Sequence, residues 1–151
     1  MFDPEQVGYM LQATLSDVIR NRGITDFQQL AAWRRLVPQV ARSVVDATAS
    51  ELVIVQSVMV EEYWHDLRRG MLAVGLPILH VVLEADEDTL RHRIETDELE
   101  PGARQWRLDH LAEFSDARSW MVASADLVLD STNLSVAEAA EALAALLAPT
   151  A

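Results

Sequence analysis

Four groups of side chains in this sequence have types and spacings suited to chemistry. Asp3 and Glu5 stand on either side of Pro4, two carboxylates at the head of an amphipathic stretch. Asp3 also fits a helix N-cap, with Pro4 at the first helical position and Glu5 complementing the helix dipole; a capping carboxylate can still face a cleft. Gln56 closes a short apolar run and offers its amide to a ligand. Arg91, Arg93, Arg104 and Arg107 flank Pro101-Gly102. Guanidinium forks match phosphates and carboxylates, although Arg91 and Glu95, four apart, also fit a solvated helix ion pair. Asp130-Ser131-Thr132 follows another apolar run, where a ligand contact and a plain Asx or Ser/Thr turn are both served by the same residues.

Other chemistries are ruled out by residue type. The sequence has no Cys, hence no disulfide, thiol nucleophile or Cys-ligated zinc. All 12 basic residues are Arg, so no step that needs a lysine ammonium belongs to these residues. His65, His80, His92 and His110 show no metal-ligand spacing, and His80 sits inside an apolar run as a structural histidine would. A net charge of -12 argues against a nucleic-acid surface, which needs a basic stripe. No apolar run approaches the ~20 residues of a membrane helix, and the first residues carry no basic-then-apolar leader pattern. The expectation is a cytoplasmic protein.

The elements that must position these groups follow from periodicity. With 151 residues, half of them apolar, a single domain over 1–151 with a buried core is expected. Val7, Met10, Leu11, Leu15, Val18 and Ile19 mark one face of a helix from Pro4 to about Arg20, ended by Asn21-Arg22-Gly23. A second helix covers roughly Leu30 to Ala49, with a kink or break expected near Val37 because Pro38 follows. Leu52 to Gln56 and Ile78 to Leu83 read as strands buried on both faces, separated by a helix that Gly75 closes. Asp86 to Thr96 is helical, Asp97 to Arg104 a loop, Gln105 to Ser124 helical, and Leu127 to Leu129 a third strand. Ser135 caps the last helix. Trp33, Trp64, Trp106 and Trp120 fall among apolar neighbours as core or interface residues. Strands alternating with helices predict an α/β fold of three layers around a parallel sheet, with ligands at the carboxyl ends of the strands. The positions to inspect are then Asp3, Gln56-Ser57, Glu84 to Asp86 and Asp130 to Thr132.

Several of these segments resemble one protein family in order along nearly the whole chain. They are Phe2-Asp3-Pro4-Glu5-Gln6-Val7-Gly8, Trp33-Arg34-Arg35-Leu36-Val37, Glu61-Glu62-Tyr63-Trp64 and His80-Val81-Val82-Leu83-Glu84-Ala85. They continue with Thr89-Leu90-Arg91-His92-Arg93-Ile94-Glu95, Ala103-Arg104-Gln105-Trp106-Arg107 and Asp130-Ser131-Thr132-Asn133-Leu134. Together they are similar to bacterial P-loop proteins of the tunicamycin-resistance (TmrB-like) and AAA-family ATPase kind, relatives of small-molecule kinases. The resemblance implies a P-loop kinase-type parallel sheet, ATP and Mg2+ as cofactors, and phosphotransfer to a small molecule, antibiotic resistance being one setting. In such a protein Asp3 would orient or deprotonate the acceptor, with Glu5 and Gln56 on the substrate side. Residues 97–104 would form a lid whose Arg104 and Arg107 stabilise the transferred phosphoryl. Arg91, Arg93, Asp130, Ser131 and Thr132 would hold the nucleotide.

The sequence departs from that family in one respect. No G-x-x-x-x-G-K-[ST] occurs in it, and no lysine is present to complete one. That loop's amides, lysine and hydroxyl hold phosphate and magnesium, so its absence predicts that these residues alone do not catalyse phosphotransfer. A truncated gene start and a natural loss both fit Met1, since relatives begin earlier and carry the first strand, the loop and the first helix there. The alternative is a degenerate, non-catalytic member serving as a binding or interaction domain. A sheet lacking its central strand exposes edges. Either a homodimer joins them, or Leu52–Gln56 pairs with Ile78–Leu83.

Overall fold

The computed structural model describes residues 1–147, with side chains to residue 145. Two compact units divide the chain, Met1–Ile78 and Leu79–Ala151.

In the N-terminal unit, helix α1 (Glu5–Arg22) ends at Gly23, whose φ of 62° suits a residue without a Cβ. Its closure is a Schellman pattern: Ile24 N–H donates to the Ile19 carbonyl at 3.0 Å and Gly23 N–H to that of Arg20 at 3.2 Å. After a 3-10 turn at Phe27–Gln29 come α2 (Ala31–Thr48) and α3 (Glu61–Ala73). The apolar stripes of the three helices meet each other. Val7 and Leu11 of α1, Trp33, Val37 and Ala41 of α2, and Leu67 and Met71 of α3 form one buried cluster, joined by Leu30. Between α2 and α3 the extended segment 50–60 is fastened by the buried Gln28, whose Nε2 donates to the Ser57 carbonyl at 2.8 Å.

Helix α2 runs through Pro38 instead of breaking near Val37. Pro38 is fully buried, and its ring lies against Gly70 of α3, where an added Cβ would sit 2.7 Å from Pro38 Cγ. Burying the ring against a residue with no side chain offsets the missing backbone hydrogen bond.

The C-terminal unit holds β1 (Val81–Glu84), α4 (Glu87–Thr96), α5 (Arg104–Asp109), α6 (Leu111–Ser124), β2 (Leu127–Asp130) and α7 (Val136–Leu147). β1 and β2 run parallel, Val81 opposite Leu127 through Glu84 opposite Asp130. His80 is structural: its N–H donates to Asp126 Oδ2 at 2.7 Å and its Nδ1 lies 3.1 Å from the Ser124 carbonyl. Ser135 and Glu138 form a capping box at α7, Glu138 Oε2 accepting from Ser135 N–H and Ser135 Oγ from Glu138 N–H. The expected single helix from Gln105 to Ser124 is two, parted at His110.

The three-layer parallel sheet of P-loop kinase type is not what the chain builds. Among the described residues the fold is mostly helical, and its sheet has two strands. The run Leu52–Gln56 contributes one parallel bridge, Ile54 to Phe2, with Phe2 N–H donating to the Val53 carbonyl at 2.8 Å. Burial explains the difference. A central parallel strand needs apolar cover on both faces, yet Val53 and Val55 are 59% and 63% exposed. Leu52 and Ile54 pack against the helical core. Helices α1, α2 and α3, which would have covered such a strand, bury their stripes on one another. The ladder partner of Ile54 is Phe2 and that of β1 is β2, so the closure expected between Leu52–Gln56 and Ile78–Leu83 gives way to two separate local pairings.

Candidate functional site at the strand ends

The two parallel strands of the C-terminal unit stop side by side at Glu84 and Asp130, and the chain turns into polar loops at both. Parallel strands leave their last carbonyls and the following loop at one edge, the usual place for a ligand in such a sheet. Here Glu84, Ala85, Asp86, Arg118, Asp130 and Thr132 line an open cavity of about 320 Å3.

Short-range bonds fix its shape. Ser131 donates twice to the Glu84 carbonyl, from its N–H at 2.7 Å and its Oγ at 2.9 Å, extending the ladder beyond the last residue pair. Asp86 N–H donates to Thr132 Oγ1 at 3.0 Å, tying the β1 loop to the β2 loop. Asp86 Oδ1 accepts from Thr89 N–H at 2.7 Å, which makes Asp86 the N-cap of α4. Asp130 Oδ1 accepts from Thr132 N–H at 2.9 Å in an Asx turn. From α4, Arg93 reaches the Ser131 hydroxyl at 3.0 Å and its carbonyl at 2.7 Å. From α6, Arg118 forms a two-point bond with Glu84, Nε to Oε2 at 2.8 Å and Nη2 to Oε1 at 2.9 Å. The Glu84 side chain is 15% exposed and that of Arg118 53%, so the guanidinium shields the deeper carboxylate from the solvent side.

Three carboxylates face two guanidinium groups, Arg118 on Glu84 and Arg93 on Ser131, and leave the site with a net negative charge. The Asp86 carboxyl is held below the usual range, first by the Thr89 N–H and hydroxyl and less by Thr132, against desolvation and the like charge of Asp130. Asp130 is lowered by Thr132 through its hydroxyl and N–H. Groups depressed in this way bind protons less readily folded than unfolded, so they stabilise the fold above the ordinary aspartate value of about 3.9. That stabilisation drains away as pH falls from there through the lower folded values. The thermal midpoint of the C-terminal unit is therefore expected to drop on acidification from pH 5 to pH 3, and the D86N/D130N variant to show a flatter profile. Equal slopes for both proteins would contradict the assignment.

The structure places the predicted site residues in three locations. Asp130, Ser131, Thr132 and Arg93 come together at the strand ends. Arg91 instead pairs along α4 with Glu87 at 3.2 Å, not with Glu95. Arg104 and Arg107 gather at residues 97–104, which fold into a 3-10 turn at Pro101–Ala103 and the start of α5. There Arg107 is held by both Asp97 and Glu100, and Arg104 Nη2 donates to the Asp97 carbonyl at 3.3 Å. Asp3, Glu5 and Gln56 belong to the N-terminal unit. Asp3 is exposed and works as a helix-start acceptor, Oδ1 taking Glu5 N–H at 2.9 Å. Glu5 accepts from the Tyr9 hydroxyl at 3.3 Å, and Gln56 is half-buried on the extended segment. The residue that sequence reasoning missed is Arg118. Its partner Glu84 lies 34 positions away, and nothing in a lone helical arginine marks such a pairing.

Comparison of the chain with protein-family models, with curated proteins and with solved structures finds no match. Among the described residues no cluster of His, Cys, Asp or Glu has the geometry to hold a metal ion. No described helix is long and apolar enough to cross a membrane.

Proposed function

We propose that the strand ends of the C-terminal unit bind the nucleoside portion of a small molecule, and that this chain is a binding protein related to ATP-dependent kinases. The observation that carries the reading is the cavity at the carboxyl ends of β1 and β2, with acceptor groups converging from both loops. Carboxylates at Asp86 and Asp130 accept hydrogen bonds from ribose hydroxyls and base amino groups. They repel phosphate: Arg118 is bonded at two points to Glu84, which leaves Arg93 alone against Asp86 and Asp130. The resemblance of Asp130-Ser131-Thr132 to a nucleotide-side loop is the reason to try nucleosides first. A cytoplasmic location belongs to the same reading and suits a chain without cysteine.

Calorimetric titration with adenosine, ATP and ATP with Mg2+ tests it. Adenosine is expected to bind as well as ATP or better. Asp130→Asn is expected to weaken binding about tenfold, since a hydrogen bond to a charged group contributes about 1.5–3 kcal/mol. Absence of heat with all three ligands would remove the proposal.

A second reading, phosphotransfer to a small molecule with ATP and Mg2+, rests on the family resemblance and on the gathering of Arg104 and Arg107 at residues 97–104. It requires those guanidinium groups to leave Asp97 and Glu100, and it requires a phosphate clamp from outside these residues. Tight binding of ATP with Mg2+ and none of adenosine would favour it. Both readings allow a homodimer through the unpaired outer edges of β1 and β2, which sedimentation would detect as a doubled mass.

A further inference from the structure

The charge of the chain is unevenly divided. Residues 79–151 carry five arginines against fifteen Asp and Glu, whereas residues 1–78 carry seven against nine. An anion approaching the N-terminal unit therefore meets a nearly balanced surface, and local groups decide the sign. On α3, His65, Arg68, Arg69 and Leu72 follow the i, i+3, i+4, i+7 spacing that puts side chains on one face. They line a shallow hollow of about 310 Å3.

Partners nearby do not exhaust the positive charge of this face. Asp66 is shared: it is bonded to Arg69 and also, at 2.9 Å, to Arg34 Nε. Arg34 is held in place, its guanidinium 4.3 Å from the centre of the Tyr63 ring and bonded to the Gln28 carbonyl. One carboxylate thus answers two guanidinium groups. Arg68 has no carboxylate partner among the described residues. Glu61 sits 3.6 Å from His65, at the other end of the hollow from Leu72. Leu72, 49% exposed, adds an apolar wall beside the guanidinium groups. The helix dipole accounts for carboxylates at Glu61 and Glu62 and cations further along. It does not account for an exposed leucine framed by two under-neutralised arginines.

We propose that this face of α3 binds a small organic anion, its oxyanion group between Arg68 and Arg69 and its apolar part on Leu72. Guanidinium forks take phosphate and carboxylate oxygens alike, so the shared chemistry is an oxyanion on an apolar stem. The site is exposed, and screening keeps such contacts weak.

The test is an NMR titration of the full chain with 15N-labelled arginine side chains, using phenyl phosphate, phenylacetate and inorganic phosphate. The Nε–H signals of Arg68 and Arg69 are expected to shift saturably with phenyl phosphate or phenylacetate, with Kd at about the millimolar level. The better of these two identifies the oxyanion, and inorganic phosphate should bind several-fold more weakly than phenyl phosphate. R68A/R69A should weaken binding at least tenfold; Asp66 keeps its bond to Arg34, so the fold survives the change. Leu72→Ser should erase the advantage of phenyl phosphate over inorganic phosphate. Arg20→Ala, on exposed α1, should leave all titrations unchanged. Non-saturating shifts, an R68A/R69A variant that binds as well as the parent, or an equal loss in R20A would each overturn the proposal.

Discussion

Replacing Trp33 with alanine is expected to destabilise the N-terminal unit by about 3–5 kcal/mol, the range for removing a large buried aromatic side chain. Trp33 is 1% exposed and stands in the cluster where α1, α2 and α3 meet, next in the chain to the buried Leu30 and Val37 turns. Its indole Nε1 donates to the Pro4 carbonyl at 3.0 Å, a bond that fixes the start of α1 against the middle of the core. Alanine would open a cavity and also remove one of the two hydrogen bonds on the Pro4 carbonyl, which keeps the Val7 N–H at 3.1 Å. Trp33→Phe separates the two costs. It keeps most of the ring volume and loses the donor, and about 0.5–1.5 kcal/mol is expected from the lost bond. Urea unfolding followed by far-UV circular dichroism gives both values. A Trp33→Ala loss under 1 kcal/mol would show that this cluster is not the core of the unit.

The second large effect concerns Gly8, in the first half of α1. Helix propensity alone predicts that Gly8→Ala stabilises by about 1 kcal/mol. Packing predicts the opposite. A Cβ at Gly8 would run into Phe27 Cδ2 and Cγ, far inside any tolerable contact. These atoms are near the root of the ring, so the whole Phe27 side chain has to move. That movement would also disturb its edge-on contact with Tyr9, whose ring centre is 5.4 Å away. Overpacking of this kind costs about 1–3 kcal/mol, so the net change is expected to be a loss. A double-mutant cycle with Phe27→Ala is the decisive form of the experiment. With the ring gone, the same Gly8→Ala change should become stabilising. If Gly8→Ala stabilises the parent protein, the Phe27 ring does not rest on α1.

How much of this was legible beforehand differs from one residue to the next. The helix ends were readable because their causes are local: Gly23 past α1, Gly75 past α3, Ser135 before α7. The strand-end loops at Glu84–Asp86 and Asp130–Thr132 were readable too, since an apolar run followed by small polar residues marks where a strand must stop. The alternation of strand-like and helical runs, and the family resemblance with it, carried the expectation further than the residues support, to a full parallel sheet. Leu52–Gln56 shows why. Its β-branched composition is the same whether one face or both are covered, and the cover comes from helices distant in sequence.

The sequence by itself determined most of the helices, the caps at Gly23, Gly75 and Ser135, the polar turns after the two strands, and the exclusion of thiol and lysine chemistry. Each of these depends on residues within about one or two helical turns of one another, or on residue type alone. Tertiary structure decided that Pro38 is tolerated, because Gly70 leaves room for its ring. It decided that Ile54 pairs with Phe2 and that Arg107 is held by Asp97 and Glu100. It also brought Arg118 from α6 to close over Glu84 at the strand ends. The reason is the same in the most distant of these pairings. Each joins groups whose separation along the chain carries no periodic signal, so only the packing of whole elements brings them within bonding distance.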